Sequence, residues 1–170
     1  MSPGSLEDLA GRLQELCLEH GLKVATAESC TGGLIAKLIT DLPGSSGYFL
    51  GGLVAYSNAA KERLLGVPSE ELAAHGAVSA QVAMSMARGA AECTGASLAV
   101  AVTGVSGPGG GIRSKPVGLT YVAMAHPTGT AVRRYAWSGD RAANREAAAR
   151  AALELLLECA GALQGAPRQA

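Results

Sequence analysis

The stretch ASLAVAVT, residues 96–103, decides the fold class, because it is almost continuously apolar. Side chains alternate between the two faces of a strand, so a run of this kind predicts a strand that other elements cover on both faces. The stretch continues directly into GVSGPGGG, residues 104–111. The sequence therefore predicts a central strand whose carboxyl end opens into a glycine-rich loop.

The segments upstream of this strand alternate between strand and helix. Residues 22–27 form a short apolar stretch, residues 28–33 (ESCTGG) a tight turn, and a helix follows to Thr40. Residues 48–56 (YFLGGLVAY) predict a second strand, and Ser57 or Asn58 can cap the short helix after it.

Caps and good helix formers indicate the remaining helices. Ser5 and Asp8 have the spacing of a capping box, and Gly21 provides a stop for the first helix. Together these signals predict helices over residues 6–20, 69–75, 80–93 and 141–160. We expect the tail after Gly161 to fray.

Two β-rich runs, residues 117–126 and 130–138, flank the short break PTG and predict an antiparallel hairpin. Strands that alternate with helices around one apolar strand predict an α/β fold, a three-layer α/β/α sandwich with a mixed sheet. We expect one domain over residues 1–170, with an ordered core at about residues 6–160. Sites in such folds form beyond the carboxyl ends of strands. The loops in question are residues 28–33, 56–61 and 104–116.

The composition argues against several classes of protein. Fourteen basic and fourteen acidic residues cancel, so no broad positive field favours a nucleic-acid or membrane partner. The four cysteines and three histidines are scattered, which predicts no metal site, no disulfide framework and no cofactor. The sequence shows no signal-peptide pattern and no long apolar run. We therefore expect a cytoplasmic protein with its thiols packed as small core residues.

The motifs of several well-known enzyme classes do not match. No glycine is followed by Lys-Ser or Lys-Thr, as a P-loop requires, and GPG at residues 107–109 does not extend to a dinucleotide fingerprint. Ser29 lacks the flanking glycines of a nucleophile elbow, and Ser57 is too far from Lys61 for the S-x-x-K pattern. The histidines show no convergent pattern for a catalytic triad.

Ser29 lies just before a predicted helix, where two roles are open to it. The free N–H groups of the helix start would face its hydroxyl, so Ser29 could be a nucleophile beside an oxyanion hole, but serine is also a common helix cap. Taken alone, Lys61 is typical of a surface charge and Tyr56 of strand packing. Residues 104–111 could form a connector or a backbone cradle for phosphate or ribose.

Separate blocks of this sequence, in the same order, resemble the CinA C-terminal domain family from about residue 6 to 160. The enzymatic members of that family are nicotinamide mononucleotide deamidases, also called PncC. The family loop usually reads GxAGPGGGT, from which this chain departs at Ser106 and Ile112. The matching blocks are TAESCTGG (26–33), GLVAYSN (52–58) with Lys61, GAVS (76–79), VTGVSGPGG (102–110), KPVG (115–118) and GDR (139–141).

The resemblance implies an amidohydrolase that converts nicotinamide mononucleotide and water to nicotinate mononucleotide and ammonia. Its catalytic residues would be a Ser29 and Lys61 dyad assisted by Tyr56, which would hold or relay the proton. The oxyanion would accept N–H bonds from the turn at residues 30–32. Arg141 could help to bind the substrate phosphate or could only flank the start of its helix. The expected substrate-binding residues are Cys30, Thr31, Gly32, Gly33, Thr103, Gly104, Gly107, Gly109, Gly110 and Arg141.

Two other functions stay open at this point. Many domains of the family follow a larger N-terminal domain and are linked to competence or DNA-damage responses, which suggests a non-enzymatic interaction role. Hydrolysis of a different amide is also compatible with the same residues, because a fold does not specify a substrate. The resemblance also makes a homo-oligomer the expected state.

Overall fold

The computed structural model describes residues 4–163 of the chain, and five strands among them form one mixed sheet. The sheet order is β2-β1-β3-β4-β5; β1 is parallel to β2 and β3, whereas β4 is antiparallel to β3 and β5. The mixed sheet and the central position of the apolar stretch are therefore as predicted. The strands are β1 Val24–Glu28, β2 Phe49–Val54, β3 Leu98–Gly104, β4 Leu119–His126 and β5 Gly129–Ala136.

Helices cover both faces of this sheet, which confirms the three-layer α/β/α architecture. Helices α1, α2 and α6 pack together on one face, and α5 packs on the other with α3 and α4 against it. A short 3₁₀ turn, Ser45–Gly47, precedes β2. The helices are α1 Leu6–His20, α2 Leu34–Thr40, α3 Asn58–Leu65, α4 Ser69–His75, α5 Ala80–Thr94 and α6 Arg141–Leu163.

Strand β3 supplies side chains to two separate hydrophobic cores. Leu98, Val100 and Val102 point to the core under α1 and α6, and Ala99 and Ala101 point to the core under α5. This alternation explains why the strand has almost no polar position: each face is sealed by helices.

The ends of helix α1 lie where the capping signals in the sequence predict them. In α1, the Asp8 N–H donates to Ser5 Oγ at 3.0 Å and the Ser5 N–H donates to the Asp8 carboxylate at 2.8 Å, so the capping box is complete. Gly21 ends the helix with a left-handed φ of 65°. Helix α6 continues to Leu163, and the rest of the tail expected to fray lies outside the described residues.

The expectation about the cysteines is only half right. All four are free thiols, but Cys93 is exposed and Cys159 half-buried, while Cys17 and Cys30 are buried. None of the helices between residues 4 and 163 is long and apolar enough to cross a bilayer.

Candidate active site

A cavity of about 280 Å³ opens beyond the carboxyl ends of the parallel strands, as the fold predicts for a site. It is bounded by the loops after β1, β2 and β3, and by Ala77 and Val78 from the connection between α4 and α5. That connection was not among the loops expected from the sequence. The expected site residues that line the cavity are Ser29, Cys30, Tyr56, Lys61, Thr103, Gly104, Gly107, Gly109, Gly110 and Arg141.

Two predicted catalytic residues meet in this cavity. Ser29 directly follows β1, and its N–H donates to the Val102 carbonyl at 2.9 Å. The Ala55 N–H donates to the Glu28 carbonyl at 2.9 Å and thereby ties the end of β2 to the same point. Helix α3 then starts behind β2, and Lys61 Nζ lies 3.0 Å from Ser29 Oγ.

Lys61 is buried to an unusual degree for a lysine, with 1% of its surface exposed. Burial lowers the pKa of Lys61, and the nearby Cys30 opposes part of that effect. Its Nζ also donates to the Ala55 carbonyl at 2.9 Å and to the Tyr56 carbonyl at 3.3 Å. In a neutral amine these carbonyls can take both N–H groups, which leaves the lone pair directed at Ser29 Oγ. The arrangement suits a general base.

Glu28, which no sequence signal singled out, caps helix α2. Its carboxylate is 1% exposed and accepts N–H bonds from Gly33 at 3.0 Å, Ile35 at 3.1 Å and Ala36 at 2.8 Å. The N–H groups of Gly33, Ile35 and Ala36 therefore point at this carboxylate, and that of Leu34 donates to the Thr31 carbonyl at 3.3 Å, so none of them points at the Ser29 hydroxyl. The expectation that they face the Ser29 hydroxyl is wrong for this reason.

Only part of the expected oxyanion turn has free donors. The Gly32 N–H donates to the Ser29 carbonyl at 3.1 Å. In the described part of the chain, the N–H groups of Cys30 and Thr31 donate to no other residue. Cys30 lines the cavity and Thr31 does not, so of these two groups the Cys30 N–H is the candidate to stabilise an oxyanion.

Thr31, Gly32 and Gly33, expected as substrate contacts, are not among the residues that line the cavity. Thr31 is fully buried, and the two glycines have left-handed φ angles of 61° and 95°. These backbone angles favour glycine because other residues are strained there. The two glycines therefore allow the backbone of the turn to adopt this conformation and do not contact the cavity.

Tyr56 and Arg141 form one wall of the cavity. The Tyr56 side chain is 61% exposed, and its hydroxyl accepts a bond from Arg141 at 3.2 Å. Arg141 also donates to the Gly107 carbonyl at 2.7 Å and so anchors the glycine-rich loop. Tyr56 reaches Lys61 through its backbone carbonyl, and no bond joins its hydroxyl to Ser29 or Lys61 among the described residues.

Helix α6 contributes two further residues that the sequence did not reveal. Asn144 donates to the Ser106 carbonyl at 3.1 Å, and Arg145 donates to the Thr31 carbonyl at 2.7 Å. The partners are 38 and 114 positions away along the chain, so no local pattern could have indicated them. Helix α6 therefore holds both the turn after β1 and the loop after β3.

The thiol of Cys30, beside Ser29, is a weaker candidate nucleophile. Burial raises the pKa of Cys30 above its usual value, and the nearby Ser106 side chain opposes part of this effect. Because the thiolate is the reactive form, a raised pKa keeps Cys30 unreactive.

In the described residues, no cluster of His, Cys, Asp and Glu is arranged to hold a metal ion.

Sequence comparisons match most of the chain to one family. Residues 6–160 match the family model of the CinA C-terminal domain. A CinA-like protein from Geobacter sulfurreducens is 58% identical over 138 residues, which are 81% of this chain and 33% of that protein. A CinA-like protein from Chloroherpeton thalassium is 48% identical over 155 residues, which are 88% of this chain and 37% of that protein. The chain spans about a third of the length of these curated relatives.

Solved structures agree in fold over nearly the whole chain. The competence/damage inducible protein CihA from Agrobacterium tumefaciens superposes with a TM-score of 0.89 at 45% identity, covering 93% of this chain and 97% of that one. A competence-damaged protein (CinA) superfamily protein from Enterobacter cloacae has a TM-score of 0.90 at 31% identity, covering 94% of this chain and 95% of that one.

Proposed function

This chain belongs to the CinA C-terminal domain family, and on that basis we propose that it is an amidohydrolase that converts nicotinamide mononucleotide and water to nicotinate mononucleotide and ammonia. The observation that carries the proposal is the 3.0 Å contact between buried Lys61 Nζ and Ser29 Oγ. Burying an amine is energetically costly. The burial of Lys61 is explained if its neutral amine acts as the base that activates Ser29.

The proposed reaction proceeds through an ester on Ser29. Neutral Lys61 takes the Ser29 proton as Oγ attacks the carboxamide carbon, and the oxyanion accepts the Cys30 N–H. The C–N bond then breaks, and the Lys61 ammonium donates its proton to the departing ammonia. In the second half, Lys61 takes a proton from water and the resulting hydroxide attacks the ester. Lys61 then returns that proton to Ser29 Oγ as the carboxylic acid leaves, and the acid gives its own proton to the released ammonia. One amide and one water yield one carboxylate and one ammonium ion.

The substrate part of the proposal rests on charge and size. The pyridinium ring of nicotinamide mononucleotide withdraws electrons and makes its carboxamide a better electrophile than a peptide. The cavity volume of about 280 Å³ is just below the usual range of small-molecule pockets, about 300–1,000 Å³. Arg141 on its wall is the proposed ligand of the 5′-phosphate, together with the backbone of residues 107–110.

Ammonia release by the purified protein tests this function. We expect release from nicotinamide mononucleotide, with slower release from nicotinamide riboside and little from nicotinamide. No release from the mononucleotide would contradict the deamidase proposal. Equal rates on nicotinamide would contradict the part that concerns the nucleotide and would point to a different amide as substrate.

A non-enzymatic interaction role is the second candidate. It is favoured by similar proteins of solved structure, which are named competence- or damage-inducible proteins. The same ammonia assay separates the two, because an interaction domain needs no turnover.

A homo-oligomer in solution is also proposed, and size-exclusion chromatography with light scattering tests it.

A further inference from the structure

The buried carboxylate of Glu28 lies directly before Ser29 in the chain, and the reaction proposed above does not use it. We propose that Glu28 is a positioning residue, which fixes the turn of residues 29–33 so that Ser29 Oγ faces Lys61 and Cys30 stays at the cavity. This inference rests on the proposed amidohydrolase function, since it assigns a role within that site.

Both oxygens of the carboxylate are used in holding the turn. Oε2 accepts the N–H groups of Gly33 and Ile35, and Oε1 accepts that of Ala36 and lies 3.4 Å from the Thr26 hydroxyl. No lysine or arginine of the described residues pairs with Glu28. The partners of the carboxylate are therefore the N–H groups of the turn and helix start and the Thr26 hydroxyl.

Backbone hydrogen bonds to the neighbouring strands also hold Glu28 and Ser29 in place. The Glu28 carbonyl accepts the Ala55 N–H and the Ser29 N–H donates to the Val102 carbonyl, so the sheet holds both residues. The glycines at positions 32 and 33 give the intervening turn more conformational freedom than other residues would. The carboxylate bridges this segment by joining the end of β1 to the start of α2.

A second charged side chain, Arg145, holds the same turn. The Thr31 carbonyl accepts the Arg145 guanidinium at 2.7 Å, and the Gly32 N–H of the same peptide unit donates to the Ser29 carbonyl at 3.1 Å. Because a peptide unit is planar, fixing both of its ends fixes its orientation. Glu28 and Arg145 thus restrain the turn together.

The substitution Glu28→Gln tests the role with little change in shape. Glutamine replaces one acceptor oxygen by an NH₂ group, so at least one of the three N–H groups loses its acceptor. A small displacement of a reacting group can slow an enzyme about 100-fold, so we expect kcat on nicotinamide mononucleotide to fall by about that factor while KM changes less than about threefold. The matched control is Ser5→Ala, which removes a helix cap on α1 and is expected to lower stability but not kcat.

A serine-directed fluorophosphonate gives a readout that does not depend on the substrate. Ser29 Oγ attacks phosphorus, the P–O bond forms, the P–F bond breaks with loss of fluoride, and the proton passes to Lys61. We expect labelling of Ser29, followed by intact mass, to slow in Glu28→Gln in parallel with kcat. Labelling at the wild-type rate in a folded Glu28→Gln variant would overturn the inference, as would a loss of kcat matched by Ser5→Ala.

Arg145 provides a second test, because its partner in the turn is the uncharged Thr31 carbonyl. We expect Arg145→Ala to slow the labelling and Arg145→Lys to restore part of the rate, and unchanged labelling in Arg145→Ala would count against the restrained turn. If the wild type is labelled on Ser29 but releases no ammonia, the proposed substrate fails and the inference is decided by the labelling alone. If the wild type is not labelled, both fail.

Discussion

Ser29 and Ser57 each stand before a helix at the same edge of the sheet, yet their hydroxyl groups have different partners. Ser57 is exposed, and its Oγ accepts the Ala60 N–H at 3.1 Å as the cap of α3. Ser29 is 9% exposed, its Oγ contacts Lys61, and α2 is capped by Glu28 in its place. The comparison shows that a serine at a helix start is released from capping when another acceptor takes the helix N–H groups.

Lys61 Nζ contacts the hydroxyl of Ser29 and not that of Ser57, and among the residues around the two serines its replacement has the largest expected effect. We expect Lys61→Met to reduce kcat by about 10²–10⁴-fold, because the base is lost while the apolar stem is kept. Lys61→Arg should not rescue turnover, since a guanidinium stays protonated. Steady-state ammonia release measures both, and Lys37→Met, on an exposed lysine of α2, is the matched control. Activity in Lys61→Met close to that of the control would contradict the dyad.

The pH dependence of activity sharpens the same contrast. Only neutral Lys61 can accept the Ser29 proton, and burial lowers its pKa below 10.5. We therefore expect kcat/KM to rise with pH up to this lowered pKa and then level off, falling about tenfold per unit on the acidic side. An acidic limb that is absent, or that lies at 10.5 or above, would argue against Lys61 as the base.

Arg141 tests whether the cavity beside Ser29 is built for a nucleotide. If it binds the 5′-phosphate, Arg141→Ala should raise KM for nicotinamide mononucleotide by about 10- to 150-fold, which corresponds to the loss of one charged hydrogen bond of about 1.5–3 kcal/mol. KM for nicotinamide riboside should change much less, because that compound lacks the phosphate. Arg134→Ala, which removes an exposed arginine from β5, is the control. An equal change for both substrates would instead assign Arg141 to holding the glycine-rich loop.

Local signals in the sequence were enough to predict the helices and strands, but not the side chains that hold the turn of the site in place. The capping box of Ser5 and the apolar pattern of β3 each depend on residues close in sequence, and both were predicted. Glu28 was missed because its N–H partners are five, seven and eight positions away, beyond the spacing of a capping box. Arg145 was missed because its contact spans 114 positions.

The family resemblance named site residues without specifying their atoms. It pointed to Tyr56 as a residue that holds or relays a proton, whereas the structure brings the Tyr56 carbonyl to Lys61 and its hydroxyl to Arg141. It also pointed to the turn at residues 31–33 as a substrate contact, and that turn is not part of the cavity lining. Such distinctions depend on side-chain rotamers and backbone direction, which no motif encodes.

The smallest expected effect concerns the two helix starts themselves. Ser57→Ala should weaken the first turn of α3 by about 1 kcal/mol, which increases the opening of that turn about fivefold. Amide hydrogen exchange at Ala60 measures this change. Ser29→Ala should leave the exchange of Ile35 and Ala36 in α2 unaltered, because Glu28 is their acceptor. Faster exchange there in Ser29→Ala would mean that Ser29 also acts as a cap.

The most direct test of the central claim is ammonia release from nicotinamide mononucleotide by the Ser29→Ala variant beside the wild-type protein. If Ser29 is the nucleophile, the wild type turns over and kcat of the variant falls by about 10⁴-fold or more, as expected when the attacking atom is removed. A Ser29→Ala variant that releases ammonia at the wild-type rate would contradict the claim.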